Sequence, residues 1–146
     1  MFKKTITYTD YNGEERTEDF YFHLNKAEAM KMELSVNGGF SAQMRKYLAT
    51  KDMASLTKTF DNFILMSYGE KSNDGKRFIK NEELTKAFTE TEAYSNLFME
   101  LATNPDMAAA FLNGIIPQDI VEEAKNQQKL STVEEAKKNA NVASLT

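Results

Sequence analysis

The placement of the aromatic residues limits what this chain can fold into. All ten Phe and six Tyr lie between Phe2 and Phe111, and none falls from Gln118 to Thr146. Aromatic side chains bury more apolar area than any others and dominate core energetics. A core built on them must form within roughly the first 115 residues, which is long enough for an independent domain. After Pro117 the sizeable apolar residues are Ile120, Val121, Leu130, Val133, Val142 and Leu145. The pattern predicts a compact domain over residues 1–117 and a polar tail over 118–146, partly helical or disordered.

Within the compact part the hydrophobic period changes once. Phe2, Lys4, Ile6 and Tyr8 alternate with Lys3, Thr5 and Thr7, the period of a strand. Asn12-Gly13 is a strong turn signal, and Phe20, Phe22 and Leu24 then share one face of a return strand. A hairpin alone is marginal, so its apolar face must pack on something else.

From Asn25 the period becomes helical. Ala27, Met30 and Leu34 are spaced for one inward face, and Gly38-Gly39 follows as a stop. Phe40, Met44, Tyr47 and Leu48 mark a second helix, and Met53, Leu56, Phe60, Phe63, Ile64 and Tyr68 a third, with Gly69 as its C′ residue. Leu65 and Met66 widen that third stripe until it reads as apolar nearly all round. Glu70 to Lys80 reads as a polar loop around Ser72-Asn73-Asp74-Gly75. Asn81, Thr89-Glu90-Thr91-Glu92 and Asn104-Pro105 then start three more helices, the last ending at Asn113-Gly114. Asp119 to Lys129 is a further amphipathic stretch, and Ser131 with Glu134 forms a capping-box pattern. The fold class is α+β: an N-terminal β-hairpin packed on a mainly α-helical domain, with a flexible C-terminal tail.

The composition removes much chemistry. The chain has 22 acidic and 18 basic residues, a net charge of −4, one histidine and no cysteine. That charge disfavours nucleic acid and anionic membrane as partners. Without cysteine there is no disulfide, thiolate nucleophile or thiolate-ligated metal. His23 alone cannot form a multi-histidine metal site. No run approaches the ~20 apolar residues of a membrane-spanning helix, and no apolar segment follows Lys3-Lys4 as a secretory signal requires. The expectation is a non-enzymatic cytoplasmic protein without metal or cofactor.

Candidate chemistry fits plainer roles. With Gly75 as the central glycine of a calcium loop, Glu70 takes the first position and Asn81 the last, where the motif wants Asp and a bidentate Glu. Glu14-Glu15, Glu82-Glu83 and Glu122-Glu123 are adjacent pairs, and adjacent residues on a helix point apart. Lys71, Lys76, Arg77 and Lys80 form a local basic cluster flanked by Tyr68 and Phe78. Its readings are a solvated loop, a docking loop for an acidic partner, or a single-strand nucleic-acid contact over residues 71–80. Of the eight methionines, Met30, Met44 and Met53 fall on inward faces, whereas Met32, Met66 and Met99 fall partly off the stripes. Methionine is over-used on surfaces that repack against partners. The candidate partner-binding residues are thus Tyr68, Lys71, Lys76, Arg77, Phe78, Met66 and Met99.

The run from Tyr68-Gly69-Glu70-Lys71 to Phe78-Ile79-Lys80, continuing through Glu90-Thr91-Glu92-Ala93-Tyr94 to Asn113-Gly114-Ile115-Ile116-Pro117, is distinctive. With the hairpin and Phe20-Tyr21-Phe22-His23-Leu24-Asn25-Lys26-Ala27-Glu28, it resembles tail assembly chaperones of long-tailed phages of Gram-positive bacteria. The likeness covers residues 1–117. It implies a non-enzymatic protein of the host cytoplasm, absent from the mature virion, that coats the tape measure protein, helps recruit tail tube subunits and self-associates. The competing expectation is a small nucleic-acid-binding regulator using the 71–80 loop.

Overall fold

A computed structural model of the chain describes residues 1–130. Strands β1 (Phe2–Thr9) and β2 (Glu15–Phe22) form the expected hairpin, in register from Phe2 opposite Phe22 to Thr9 opposite Glu15. Asp10 shapes the turn, its Oδ1 accepting the backbone N–H groups of Asn12 and Glu14 at 2.9 and 3.0 Å. Gly13 takes φ 82°, which a side chain disfavours.

Helix α1 (Lys26–Leu34) begins at a full capping box between Asn25 and Glu28. Its inward face differs from the expected one. Ala29, Met32 and Glu33 are buried, while Ala27 and Leu34 are exposed. A buried glutamate stands where a period count looks for an apolar residue, and this shifted the stripe. Helices α2 (Phe40–Thr50) and α3 (Met53–Ser67) follow, α3 capped by Asp52.

The segment read as a polar loop is a second hairpin. Strands β3 (Tyr68–Lys71) and β4 (Phe78–Ile79) extend the sheet to four antiparallel strands in the order β1-β2-β3-β4. Gly69 is therefore not a helix C′ residue but a strand residue opposite Tyr21. A Cβ there would lie 2.6 Å from the Ile79 carbonyl oxygen and 2.7 Å from the Phe78 ring, so glycine lets the strands close.

Helices α4 (Glu82–Thr89) and α6 (Pro105–Ile115) start where the capping residues Asn81 and Asn104 predict, and α5 (Glu92–Thr103) starts within the expected stretch, capped by Thr91. Gly114 does not end α6. It lies inside the last turn, where a Cβ would sit 2.5 Å from the Phe2 ring. A final helix, α7, covers residues 118–130.

The core lies between one sheet face and the helices. Phe111 is its hub, with Phe2, Phe22 and Phe63 at 5.2, 5.1 and 5.7 Å between ring centres, in edge-on geometry. The compact part does not stop at Pro117. Ile120 and Val121 of α7 belong to the core cluster, and Gln128 Nε2 donates to the Val36 carbonyl at 3.0 Å. The capping-box pattern at Ser131 and Glu134 lies outside the described residues.

Candidate partner-binding surface

The seven candidate residues separate into a buried group, an engaged group and an exposed group. Tyr68 is buried, its ring stacked on Phe88 at 4.2 Å and flanked by Phe20 and Phe22. Burial, then the charges of Glu70 and Glu18, push its pKa up to about 12. Tyr68 therefore cements the sheet to α4 and offers no free ring to a partner, which corrects its place in the candidate set.

The basic cluster does not act as one patch. Lys71 Nζ stands 4.5 Å over the Tyr21 ring, a cation–π contact across β3 and β2. Lys80 Nζ is held by Glu28 Oε2 at 2.7 Å and by the His23 carbonyl at 3.1 Å. Lys76 and Arg77 remain exposed in the β3–β4 turn, which Asp74 organises by accepting from Ser72 Oγ and the Lys76 N–H. Phe78 is half-buried, edge-on to His23 at 5.7 Å. The side-chain and backbone hydrogen bonds from Ser72 and Lys76, both to Oδ1, draw the Asp74 carboxyl below its ordinary range.

The exposed group is methionine. Met66 and Met99 are 57% and 55% exposed, against 7% for Met32. Met53, expected inward, is also exposed. The apolar excess at the end of α3 is thus turned outward at Met66. Met66 divides two clefts. One, of about 550 Å³, lies between α3 and α4 and is lined by Leu65, Lys80, Thr85 and Lys86. The other, of about 360 Å³, lies between α1 and α3 and is lined by Leu24, Met32, Phe40 and Thr59. Glu28 borders both. Met99 lines a separate cleft of about 430 Å³ with Tyr94, Phe98 and Thr57.

Sequence reasoning found Met66 and Met99 by their position off the stripe. It missed the walls of the clefts, Thr59, Asn62 and Thr85. Thr59 and Asn62 stand on α3 in one cleft and Thr85 on α4 in the other, and no local pattern announces which helix faces which. Among the described residues, no three His, Cys, Asp or Glu are grouped to hold a metal ion, and no helix is long and apolar enough to cross a membrane.

Met66 and Met99 are thus exposed apolar side chains beside open clefts. The family model for phage tail assembly chaperones matches residues 1–145, and the chain belongs to that family. The match extends beyond the 1–117 span on which the resemblance rested. No curated protein and no solved structure was found to match the chain.

Proposed function

We propose that this tail assembly chaperone binds the tape measure protein through the paired clefts at Met66 and helps recruit tail tube subunits to it. On this reading it works in the host cytoplasm, self-associates along its client and leaves before the virion is complete. The observation that carries the reading is Met66 itself, an exposed thioether between two clefts on a family member whose role is assembly. An unbranched polarizable side chain adapts to varied apolar partners. A long client offering many apolar side chains in series suits such a surface, since each area removed from water contributes about 25 cal/mol per Å² before the costs of association.

Co-expression with the tape measure protein of the same phage tests this. The wild-type chain should keep that protein soluble and co-purify with it. Met66→Glu should lose the complex, and Met53→Glu, at the far end of α3, should retain it. A tape measure protein that stays insoluble beside folded wild-type chain would sink the proposal.

A further inference from the structure

The hairpin carries a second surface, distinct from the clefts at Met66, in the backbone of β2. Three hydrogen bonds fix which way its peptide groups point. Asp10 N–H donates to the Glu14 carbonyl at 2.8 Å, so the even-numbered residues of β2 are the ones that bond to β1. Asn96 Nδ2 donates to the Thr7 carbonyl at 3.2 Å, so Thr7 turns away from its partner Thr17. His23 N–H donates to the Ser67 carbonyl at 2.8 Å, so the odd-numbered residues face β3. Glu15, Thr17 and Asp19 therefore direct their N–H and C=O groups toward the β3 side. The ladder with β3 covers only Tyr21 and Phe22. Beyond Tyr21, β3 turns to its own partner, pairing Glu70 with Ile79 and Lys71 with Phe78. A cleft of about 370 Å³ opens between the diverging strands, lined by Asp19, Phe20, Tyr21, Tyr68 and Lys71 among others.

Among the described residues, the stretch from Glu15 to Asp19 is thus an open strand edge, exposed along its length. Such an edge is a template for another strand. Its side chains select the occupant. Glu15, Glu18 and Asp19 stand against a single Arg16, and Glu14 adds a further carboxylate at the tip. A second copy pairing antiparallel about Thr17 would set Glu15 opposite Asp19 twice and Arg16 opposite Glu18 twice, so the cross-strand pairs offset one another and two net-negative edges still meet. A strand bearing lysine or arginine would meet carboxylates instead.

We propose that the Glu15–Asp19 edge of β2 accepts an extended, lysine- or arginine-rich segment of another protein as an added antiparallel strand. The odd-residue backbone groups supply the binding energy, and the carboxylates choose the sign of the partner. Lys71, over the Tyr21 ring, marks the inner end where the added strand stops.

The test titrates the full-length, isotopically labelled chain at low salt with a peptide of about ten residues alternating lysine and valine. A peptide alternating glutamate and valine is the comparison. The basic peptide should shift and protect the amides of Glu15, Thr17 and Asp19, and bind at least about tenfold more tightly than the acidic one. Thr17→Pro removes a donor that β1 does not use, and should weaken the basic peptide by at least about tenfold while leaving the β1–β2 amides in place. Glu15→Lys with Asp19→Lys should reverse the preference, and decides the matter alone if the proline variant does not fold. Equal binding of the two peptides, absence of binding, protection confined to another surface, or dimerisation through β2 would overturn the proposal. None of these outcomes bears on Met66, so this edge and the clefts fail or stand separately.

Discussion

Glu33 on α1 holds the first turn of α2, its Oε1 accepting the backbone N–H of Ser41 at 2.9 Å and the Ser41 hydroxyl as well. The N-cap of α2 is Gly39, which has no side chain to supply this bond, so a carboxylate from the preceding helix takes the role. Glu33 is 1% exposed, and its Oε2 has no hydrogen-bond partner among the described residues. Glu33→Ala should lower stability by about 2 kcal/mol, the cost of leaving a buried helix N-terminus without its acceptor. Urea unfolding of the two proteins, with unchanged slope, measures it.

Gly39 is tied to the same carboxylate. A Cβ at residue 39 would lie 2.9 Å from Glu33 Oε2, and the backbone there has φ 99°. Gly39→Ala should therefore destabilise the fold by about 1–3 kcal/mol through backbone strain and displacement of the cap. In the Glu33→Ala background the steric part disappears, so the two changes should cost less together than their separate effects added. A double-mutant cycle reads that coupling.

A cycle at Gly114 and Phe2 couples in the same sense but reverses the effect of one change. Alanine favours a helix over glycine by about 1 kcal/mol, so Gly114→Ala should stabilise α6 on propensity alone. The Phe2 ring, 2.5 Å from the new Cβ, opposes it in the native chain. Gly114→Ala should thus destabilise the wild type and stabilise a Phe2→Ala chain. Thermal melts of the four proteins check the reversal.

These glycines show where sequence reading reached and where it stopped. The hairpin, the helix starts at Asn25, Asn81 and Asn104, and most core aromatics were legible because each depends on residues close together in sequence. The second hairpin was not. β4 has two residues, too few for a period, and Gly69 is needed in β3 because Ile79 and Phe78 press on it. The inward face of α1 was misread because Glu33 is buried for a bond to a residue eight positions on. Of the candidate surface, Met66 and Met99 could be picked out by their place on a helix. Tyr68 entered the candidate set as a flank of the basic cluster, although its place on the apolar stripe already pointed inward, where Phe88 and Phe20 pack on it.

The single histidine gives stability a pH dependence near neutrality. Burial, followed by the positive charges of the N-terminus and Lys80, lowers the His23 pKa below its ordinary 6.5. The unfolded chain takes up its proton at the higher pH, so the unfolded state binds more protons in the window just below 6.5. Stability should be full above that value and fall as pH drops through the window. Glu28 adds a later loss. Burial raises its pKa, but the bonds from Lys80 and the Asn25 N–H outweigh this and hold it below 4.5, so its contribution is lost as pH falls below that value. Denaturation across pH should show the first decline vanish in His23→Gln and the second shrink in Glu28→Gln. An NMR titration of the one imidazole gives its folded pKa directly.

Helix α7 makes a prediction against the expectation of a dispensable end. Ile120 is 8% and Val121 1% exposed, both within the core cluster. Their neighbours Glu122 and Glu123 face solvent. Ile120→Ala removes buried methyl and methylene groups and leaves a cavity, so it should cost about 2–4 kcal/mol. Glu122→Ala, one turn face away, should change stability by no more than about 0.5 kcal/mol. The contrast requires α7 to be docked. If both variants melted with the wild type, α7 would contribute nothing to the core, and the domain would end at Pro117 as the aromatic distribution alone suggested.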